Sequence, residues 1–224
     1  DFYREYFVPA NAYLIVIGDV NFDEVKTLTE TYFTSWTKAV PPSFSYSQPK
    51  NVPNTQINFI DMPNAVQSEI TVQNIVNLKM KDDDYIAALL ANEILGGGSD
   101  SRLYSNLRED KGYTYGAYSS IGNDKYGPSR FRASAEVRNM VTDSSVVEML
   151  KELELITSKP VTDVELKNTK ALYAGSFIMA LEDPETIARY ALNVEKENLP
   201  KDFYKTFLEK LEKISKEEVE AAAK

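Results

Sequence analysis

The sequence contains no histidine and no cysteine in its 224 residues. Imidazole is the commonest zinc ligand and the usual general base near neutral pH, and thiolate is the soft alternative ligand. A site built only from carboxylates suits calcium or magnesium better than zinc. The two absences also exclude a Ser-His-Asp triad and a cysteine nucleophile. The sequence therefore predicts no zinc site, and no catalytic centre of these kinds, within this chain.

Long apolar runs and an excess of positive charge are absent as well. No run approaches the roughly 18 apolar residues that a membrane span needs. The net charge of -9 argues against a nucleic-acid partner, whose phosphates require clustered Lys and Arg. The same charge permits either a preference for basic peptides or simple solubility. With 43% hydrophobic and 26% charged residues, the composition is ordinary for a folded, soluble domain without a membrane span.

The two ends of the chain predict a fragment. The sequence opens at Asp1 without a methionine, and Ser215 and Glu218 have the spacing of a capping box that starts a helix. That helix reaches Lys224 without a Gly, Asn or Pro terminator. We therefore expect residues 1–224 to be a single domain cut from a longer protein.

Five segments have the pattern of strands. Tyr13–Ile17 is a short continuous apolar run, which predicts a central strand buried on both faces. The other four, with polar and apolar residues alternating in most of them, are Gln56–Asp61, Glu69–Ile75, Tyr115–Ile121 and Ser129–Val137. We expect the last two to form a hairpin with one buried and one solvated face, because apolar residues alternate with polar or charged ones in the second.

Helices account for most of the remaining sequence. The first predicted helix is capped by Asn21 and has an apolar face of Val25, Leu28, Tyr32 and Phe33. A second helix is predicted from Tyr85 to Leu95, and a short third one from Ser101 to Lys111, capped by Asp100 and ended by Gly112. Further helices are predicted to follow Thr162–Glu165 and Asp183–Pro184 in the C-terminal part. Together these elements predict an α+β fold, a two-layer α/β sandwich in which helices cover a mainly antiparallel sheet.

The glycine run Gly96–Gly98 first suggests a phosphate-binding loop. No Lys-Ser or Lys-Thr follows it, and the element before it is a helix rather than a strand. The run therefore predicts a Gly-rich hinge or a tight turn between two helices.

Arg108 and Tyr115 are the candidate functional residues. Arg108 lies beside the buried stripe of the short helix, near its end, and Tyr115 opens the following strand after the turn at Gly112. The two side chains can therefore converge at one corner of the sheet. A guanidinium and a phenol together can clamp a peptide carbonyl or an oxyanion. On these residues alone, the competing interpretation is structural. Arg108 would then interact favourably with the helix dipole near the C-terminus of the helix, beside a half-buried Tyr115.

The segment from Gly96 to Leu103, followed by Leu107-Arg108, Gly112 and Tyr115, resembles the second domain of pitrilysin/insulinase-type zinc peptidases. This superfamily includes insulin-degrading enzyme and the mitochondrial processing peptidase, and its members carry an Arg and a Tyr at this spacing. The opening segment Phe7–Ala12, before a predicted strand that leads into Gly18-Asp19-Val20, is similar to the family's entry into this domain. The resemblance covers nearly the whole chain, in two separated motifs in the expected order.

The resemblance implies the mitochondrial processing peptidase/LuxS-like metallohydrolase fold and a division of labour. In the family, an N-terminal domain carries H-x-x-E-H and binds zinc, and a second domain without that motif closes over it. Arg108 and Tyr115 would then hold the substrate backbone and stabilise the developing oxyanion. No cofactor is expected in this chain, and zinc is expected in a catalytic domain in cis or in trans. The expected substrate is an extended peptide or unfolded polypeptide, bound by strand addition to a sheet edge.

Three hypotheses of function follow. The first is the substrate-binding, non-catalytic domain of a zinc endopeptidase. The second is an inactive scaffold or regulatory subunit of the same family, and the third is a peptide-binding module unrelated to it. Retention of both Arg108 and Tyr115 favours the first, since a scaffold has no need of a carbonyl clamp. The expected compartment is the bacterial periplasm or cytoplasm.

Overall fold

The computed structural model describes every residue except Phe44 and Tyr46. The chain falls into two compact units. Asp1–Ser47 and Ser176–Tyr204 form the first, and Gln48–Gly175 and Lys205–Lys224 form the second. The sheet and both candidate residues lie in the second unit.

The sheet of the second unit has three antiparallel strands in the order β1-β3-β2, namely β1 (Gln67–Val76), β2 (Thr114–Ile121) and β3 (Ser129–Arg138). Two of the predicted strands form the predicted hairpin, and the predicted strand Glu69–Ile75 lies within β1. Ala133, Ala135 and Val137 are buried on one face of β3, and the residues between them point to the other face. The predicted α+β class with one buried sheet face is confirmed.

The α-helices of the described residues are α1 (Phe2–Tyr6), α2 (Phe22–Phe33), α3 (Tyr85–Asn92), α4 (Arg102–Tyr104), α5 (Thr142–Ser158), α6 (Asp163–Ala180), α7 (Pro184–Lys196), α8 (Phe203–Lys213) and α9 (Lys216–Ala222). Within the second unit, α3 and α5 pack against the sheet and α9 packs against both helices. Leu90, Leu103, Leu107, Met149 and Val219 are fully buried between these elements. None of the described helices is both long and apolar enough to cross a membrane.

Most of the predicted helix caps are present. Asn21 Oδ1 accepts hydrogen bonds from the backbone N–H groups of Asp23 and Glu24, and Asp183 and Ser215 cap α7 and α9 in the same way. Asp100 is the exception, because α4 begins after Ser101 and no side chain caps it. The Ser101 hydroxyl instead donates to the carbonyl of Gly98 at 2.6 Å, which ties the turn to the helix.

The prediction of a buried strand at Tyr13–Ile17 is wrong. The segment forms no strand, and its side chains are 44–60% exposed. The described part of the first unit consists of helices and loops, so it offers no strand with which the segment could pair. The predicted apolar face of α2 is likewise exposed at Leu28 and Tyr32, although the helix itself forms as predicted.

Gln56–Asp61 is not a paired strand either. The segment has no strand assignment, and Ile57 and Phe59 on its predicted apolar face are 90% and 82% exposed. An alternating pattern specifies which side chains share a face, but it does not supply the backbone partner that a strand needs.

Candidate functional site

Arg108 lies in a π-helical turn rather than in a regular α-helix. The predicted helix Ser101–Lys111 is α-helical only at Arg102–Tyr104, and Ser105–Asp110 forms the π-helical turn. Such turns insert one extra residue and often occur at functional sites. The turn ends as predicted at Gly112, whose φ of 61° places it in the left-handed region and whose N–H donates to the Arg108 carbonyl at 3.1 Å.

The structure brings Arg108 and Tyr115 together. Arg108 Nη1 donates a hydrogen bond to the backbone carbonyl of Tyr115 at 3.2 Å. The guanidinium carbon lies 5.5 Å from the centre of the Tyr115 ring and 5.8 Å from the centre of the Tyr104 ring. Both distances are within the range of cation–π attraction. The predicted convergence at one corner of the sheet is therefore observed, between the π-helical turn and the start of β2.

A β-bulge sets the direction of Tyr115. Thr114 pairs with Val137 and Ala117 pairs with Ala135, so Tyr115 and Gly116 together oppose Glu136. Bulges of this kind redirect a side chain at the edge of a sheet. The Tyr115 side chain is 83% exposed, and its hydroxyl has no hydrogen-bond partner in the described structure. The phenol is therefore available to a molecule bound at this corner.

The Arg108 guanidinium also keeps unused donors. Glu109 Oε1 lies 3.4 Å from Arg108 Nε, which is close enough for an ion pair. The direction of the Nε–H is poor, however, so this buried nitrogen makes no hydrogen bond. Among the described residues, Nη2 has no acceptor either. Because the side chain is 34% exposed, a bound acceptor can reach the guanidinium.

Asn106 fixes the π-helical turn to α5. Its Nδ2 donates to Glu152 Oε1 at 2.6 Å and to Glu148 Oε2 at 2.9 Å. The hydrogen bond from Asn106, with the charges of Lys111 and Lys151 nearby, holds the pKa of Glu148 below its ordinary value against the opposing effect of burial. The position of Arg108 therefore depends on the hydrogen bonds that join Asn106 to Glu148 and Glu152 of α5.

Two further tyrosines complete the site, and sequence reasoning did not identify them. The rings of Tyr104 and Tyr118 lie 6.0 Å apart, and Tyr104 is also in contact with the Arg108 guanidinium. A Cβ on Gly116 would lie 2.5 Å from Tyr118 Cε2, so a side chain there would require the ring of Tyr118 to shift. The spacing of four residues between Tyr104 and Arg108 was a usable signal, because such pairs share a helix face.

The glycine turn packs against the outer edge of β2. Gly96 is buried against Ser119, and a Cβ there would clash with the Ser119 backbone nitrogen and lie 2.6 Å from its Oγ. Asn92 Nδ2 donates to the Ser119 carbonyl at 3.4 Å, and Ser119 Oγ donates to Asn92 Oδ1 at 2.9 Å. The run is thus a tight turn after α3, as predicted. It covers the edge of the strand that carries Tyr115.

The residues of this chain do not fit zinc. The sequence offers no imidazole and no thiolate. In the part of the chain that the structure describes, no three acidic side chains come close enough together to hold a metal ion. The chemistry available at the Arg108–Tyr115 corner is hydrogen bonding and charge stabilisation.

Comparison with known families decides the identity of the fold. The family profile described as "Peptidase M16 inactive domain" matches residues 1–173. The chain belongs to the peptidase M16 inactive-domain family. The resemblance to the non-catalytic domain of pitrilysin/insulinase-type zinc peptidases is thereby confirmed. The sequence of this M16 domain contains neither histidine nor cysteine.

Some similar proteins are named as proteases, and others are named as inactive ones. The M16 domain is 22% identical over 211 residues to the "Probable inactive metalloprotease YmfF" of Bacillus subtilis, covering 92% of this chain and 47% of that protein. It is 26% identical over 192 residues to the "Zinc protease PqqE" of Helicobacter pylori, covering 84% of this chain and 42% of that protein. The chain thus spans about half the length of these curated relatives or less.

Solved structures share the fold of this M16 domain. A peptidase M16 inactive domain from Pseudomonas fluorescens superposes with a TM-score of 0.80 at 25% identity, over 92% of this chain and 48% of that one. A protease from Helicobacter pylori superposes with a TM-score of 0.86 at 22% identity, over 99% of this chain and 54% of that one.

Proposed function

We propose that this chain is the substrate-gripping, non-catalytic domain of a zinc endopeptidase that cleaves extended peptides. Its partner is a zinc-bearing catalytic domain, in cis or in trans. Within that assembly, Arg108 and Tyr115 hold the backbone of the peptide and stabilise the charge that develops on the carbonyl oxygen during cleavage.

The observation that carries the proposal is the hydrogen bond from Arg108 to the Tyr115 carbonyl. It supports the proposal because the guanidinium already donates to one backbone carbonyl, while Nη2 has no acceptor in the described structure. The exposed Tyr115 phenol lies beside it and supplies a second donor. Two donors that meet at one point can hold a carbonyl and gain strength as its oxygen becomes charged.

The contacts of the sheet edges bear on how a peptide would lie. The edge of β2 is occupied at Tyr115 by Arg108, and at Ser119 by Asn92 and Gly96. Strand addition requires free backbone groups. We therefore propose that at this corner a peptide is held by the side chains of Arg108 and Tyr115.

A second candidate function is an inactive scaffold or regulatory domain of the same family. It is favoured by the similarity to a Bacillus subtilis protein named as an inactive metalloprotease. A scaffold has no need of free donors at Arg108 and Tyr115, so variants at these positions separate the two candidates.

The experiment that tests the assignment compares this chain with the full-length protein and its catalytic partner. The isolated chain should show neither peptidase activity nor zinc binding near micromolar affinity. The assembly should bind zinc and cleave an unfolded polypeptide. Zinc binding or peptidase activity in the isolated chain contradicts the assignment, and a fully assembled protein without activity supports the scaffold instead.

A further inference from the structure

The face of the sheet opposite the buried one is solvated, and its side chains are half-buried or exposed. On β3 this solvated face carries Arg130, Arg132, Ser134, Glu136 and Arg138, which alternate with apolar residues. Directly paired residues of neighbouring strands point to the same face. The residues paired with the three central positions of β3 therefore share it, namely Gln73, Thr71 and Glu69 on β1 and Ser120 and Tyr118 on β2.

Arg132 lies in the middle of the solvated face. Its Nη2 donates to Glu69 Oε1 at 2.9 Å and to Thr71 Oγ1 at 3.2 Å. Its buried Nε makes no hydrogen bond, and Nη1 has no acceptor among the described residues. A guanidinium has more N–H donors than these two contacts use, so Arg132 keeps hydrogen-bonding capacity for a further acceptor.

Two serine hydroxyls lie beside Arg132. Ser120 is paired with it on β2, and Ser134 is the next residue on the same face of β3. Neither hydroxyl has a hydrogen-bond partner in the described structure. A cationic fork with neighbouring O–H donors suits the two oxygens of a carboxylate.

Arg130, the neighbouring arginine on the same face, lacks such surroundings. The Gly122 N–H donates to its backbone carbonyl at 2.9 Å on one side, and Ile75 is paired with it on the other. Neither neighbour has a polar side chain, and Arg130 makes no ion pair with the described residues. The arrangement that suits a carboxylate therefore belongs to Arg132, and Arg130 is its matched control.

The ion pair with Glu69 does not close this position. The side chains of Arg132 and Glu69 are 43% and 65% exposed. Pairs this exposed contribute little stability, because water screens the charges and two long side chains lose freedom. A carboxylate from a bound molecule can therefore share the guanidinium with Glu69 or replace it.

The solvated face is continuous with the Arg108–Tyr115 corner. The Tyr104 ring lies 5.8 Å from the Arg108 guanidinium and 6.0 Å from the Tyr118 ring. Tyr118 is half exposed and is paired with Ser134 on β3. A molecule that leaves the corner over Tyr118 therefore reaches the serines beside Arg132.

The distance from the corner to Arg132 matches a short stretch of peptide. Tyr115 lies opposite Glu136 at the bulge, and Arg132 is four positions before Glu136 on β3. At roughly 3.3 Å per residue, these four positions span about 13 Å along the strand. An extended peptide covers that distance in about four residues, so one chain can occupy both places.

We propose that Arg132, with Ser120 and Ser134, forms an acid subsite that binds the carboxylate of an Asp or Glu side chain in the peptide held at the Arg108–Tyr115 corner. The inference rests on the proposed function and names its substrate class, extended peptides with an acidic residue about four positions from the gripped carbonyl. Glu136, between the corner and Arg132, repels an acidic side chain at nearer positions. The face thus selects the position of the charge as well as its sign.

Peptide binding by the 224-residue chain tests the acid subsite without any catalytic partner. The probes are two fluorescently labelled peptides of about twelve residues, roughly 40 Å when extended, that differ only by a central Glu or Gln. Fluorescence anisotropy should give a Kd roughly two- to tenfold lower for the Glu peptide. Because the net charge of -9 disfavours an acidic peptide in general, tighter binding reports a local site. Equal affinity for the two peptides overturns the inference.

Three variants assign the preference to Arg132. Arg132→Gln should abolish it, and Arg130→Gln, which removes the same charge from the same strand, should keep it. Glu69→Gln should enlarge it by a further factor of about two, because the competing carboxylate is gone. A preference that survives Arg132→Gln, or that shrinks in Glu69→Gln, refutes the subsite, because a merely structural Arg132 would affect both peptides alike.

Cleavage by the full-length protein with its catalytic partner fixes the position, because the cut bond defines the register. A Glu moved along the peptide should raise kcat/KM most at about four residues from that bond. A gain that is equal at all positions contradicts the inference. If Arg108→Ala weakens binding of both peptides while Arg132→Gln changes neither, the acid subsite is wrong and the corner clamp stands. If neither the chain nor the assembly binds either peptide, the proposed function is wrong as well.

Discussion

The Arg108 guanidinium donates to the backbone carbonyl of Tyr115 at 3.2 Å and lies 5.5 Å from the centre of its ring. One contact uses a single N–H, and the other orients the planar group over an exposed phenol. Each residue therefore fixes the other, and each keeps polar groups that have no partner among the described residues. The proposed clamp role requires a pair held in this way, because donors that are already in place lose little order when they bind an electron-rich oxygen.

Replacing Arg108 with alanine in the full-length protein with its catalytic partner should lower kcat/KM for an extended peptide. The loss of a charged hydrogen bond to the transition state is worth roughly 1.5–3 kcal/mol, which corresponds to about ten- to a hundredfold. Arg130→Ala is the matched control, because Arg130 is an exposed arginine on the solvated face of the same sheet. Steady-state kinetics of both variants check the prediction. If Arg108→Ala keeps the wild-type turnover, the proposed clamp role of Arg108 is wrong.

Replacing Tyr115 with phenylalanine should lower turnover without changing stability. The substitution removes the hydroxyl but keeps the ring beside Arg108, and the side chain is 83% exposed. The free energy of unfolding should therefore stay within about 0.5 kcal/mol of the wild-type value. Tyr126→Phe, at another largely exposed tyrosine, is the control. If Tyr115→Phe is as active as the control, the hydroxyl has no role in turnover and Tyr115 serves only as a contact for Arg108.

The stability of the second unit should depend on pH through Glu165. Partial burial by itself would raise the pKa of this carboxyl, but hydrogen bonds from Arg102 and Thr162 outweigh it and hold the pKa at about 2. Because the folded-state pKa is lower than the ordinary value of 4.5, the stabilisation is fully present above pH 4.5. It is lost as the pH falls from 4.5 through about 2.

Urea unfolding between pH 7 and pH 2 checks this dependence. Glu165→Gln should lower stability near neutral pH and flatten the acid limb of the profile. Arg102→Ala removes the contacts at 2.8 and 3.3 Å, so it should move the acid limb to higher pH. An acid limb of equal slope in the wild type and in Glu165→Gln contradicts the assignment.

Replacing Gly96 with alanine should destabilise the chain. The new methyl group would clash with the Ser119 backbone nitrogen, which cannot move away without distorting β2. We expect a loss of about 1–3 kcal/mol, as for other overpacked cores. Gly175→Ala is the control, because this glycine lies within α6 with open space around it and should gain about 0.5–1 kcal/mol. Thermal or urea unfolding of both variants decides the matter, and equal effects of the two substitutions refute the close approach at Gly96.

The exclusion of zinc chemistry and the positions of most helices could be read from the sequence. The caps at Asn21, Asp183 and Ser215 were predictable because a cap depends on residues within one turn of each other. The hairpin of β2 and β3 was predictable because apolar and polar residues alternate clearly in β3. The prediction that Asp100 caps the short helix was wrong for a local reason, because the helix begins after Ser101 and the Ser101 hydroxyl donates to the Gly98 carbonyl.

The sequence by itself determined which chemistry this chain lacks, which family it belongs to, and that Arg108 and Tyr115 lie on either side of one turn. Only the tertiary structure decided the direction in which they point, because that depends on the π-helical turn held by Asn106 and on the bulge opposite Glu136. It also decided that Tyr13–Ile17 does not form a strand, although its composition favours one. A strand requires a backbone partner from elsewhere in the fold, and no local pattern of side chains records whether that partner is present.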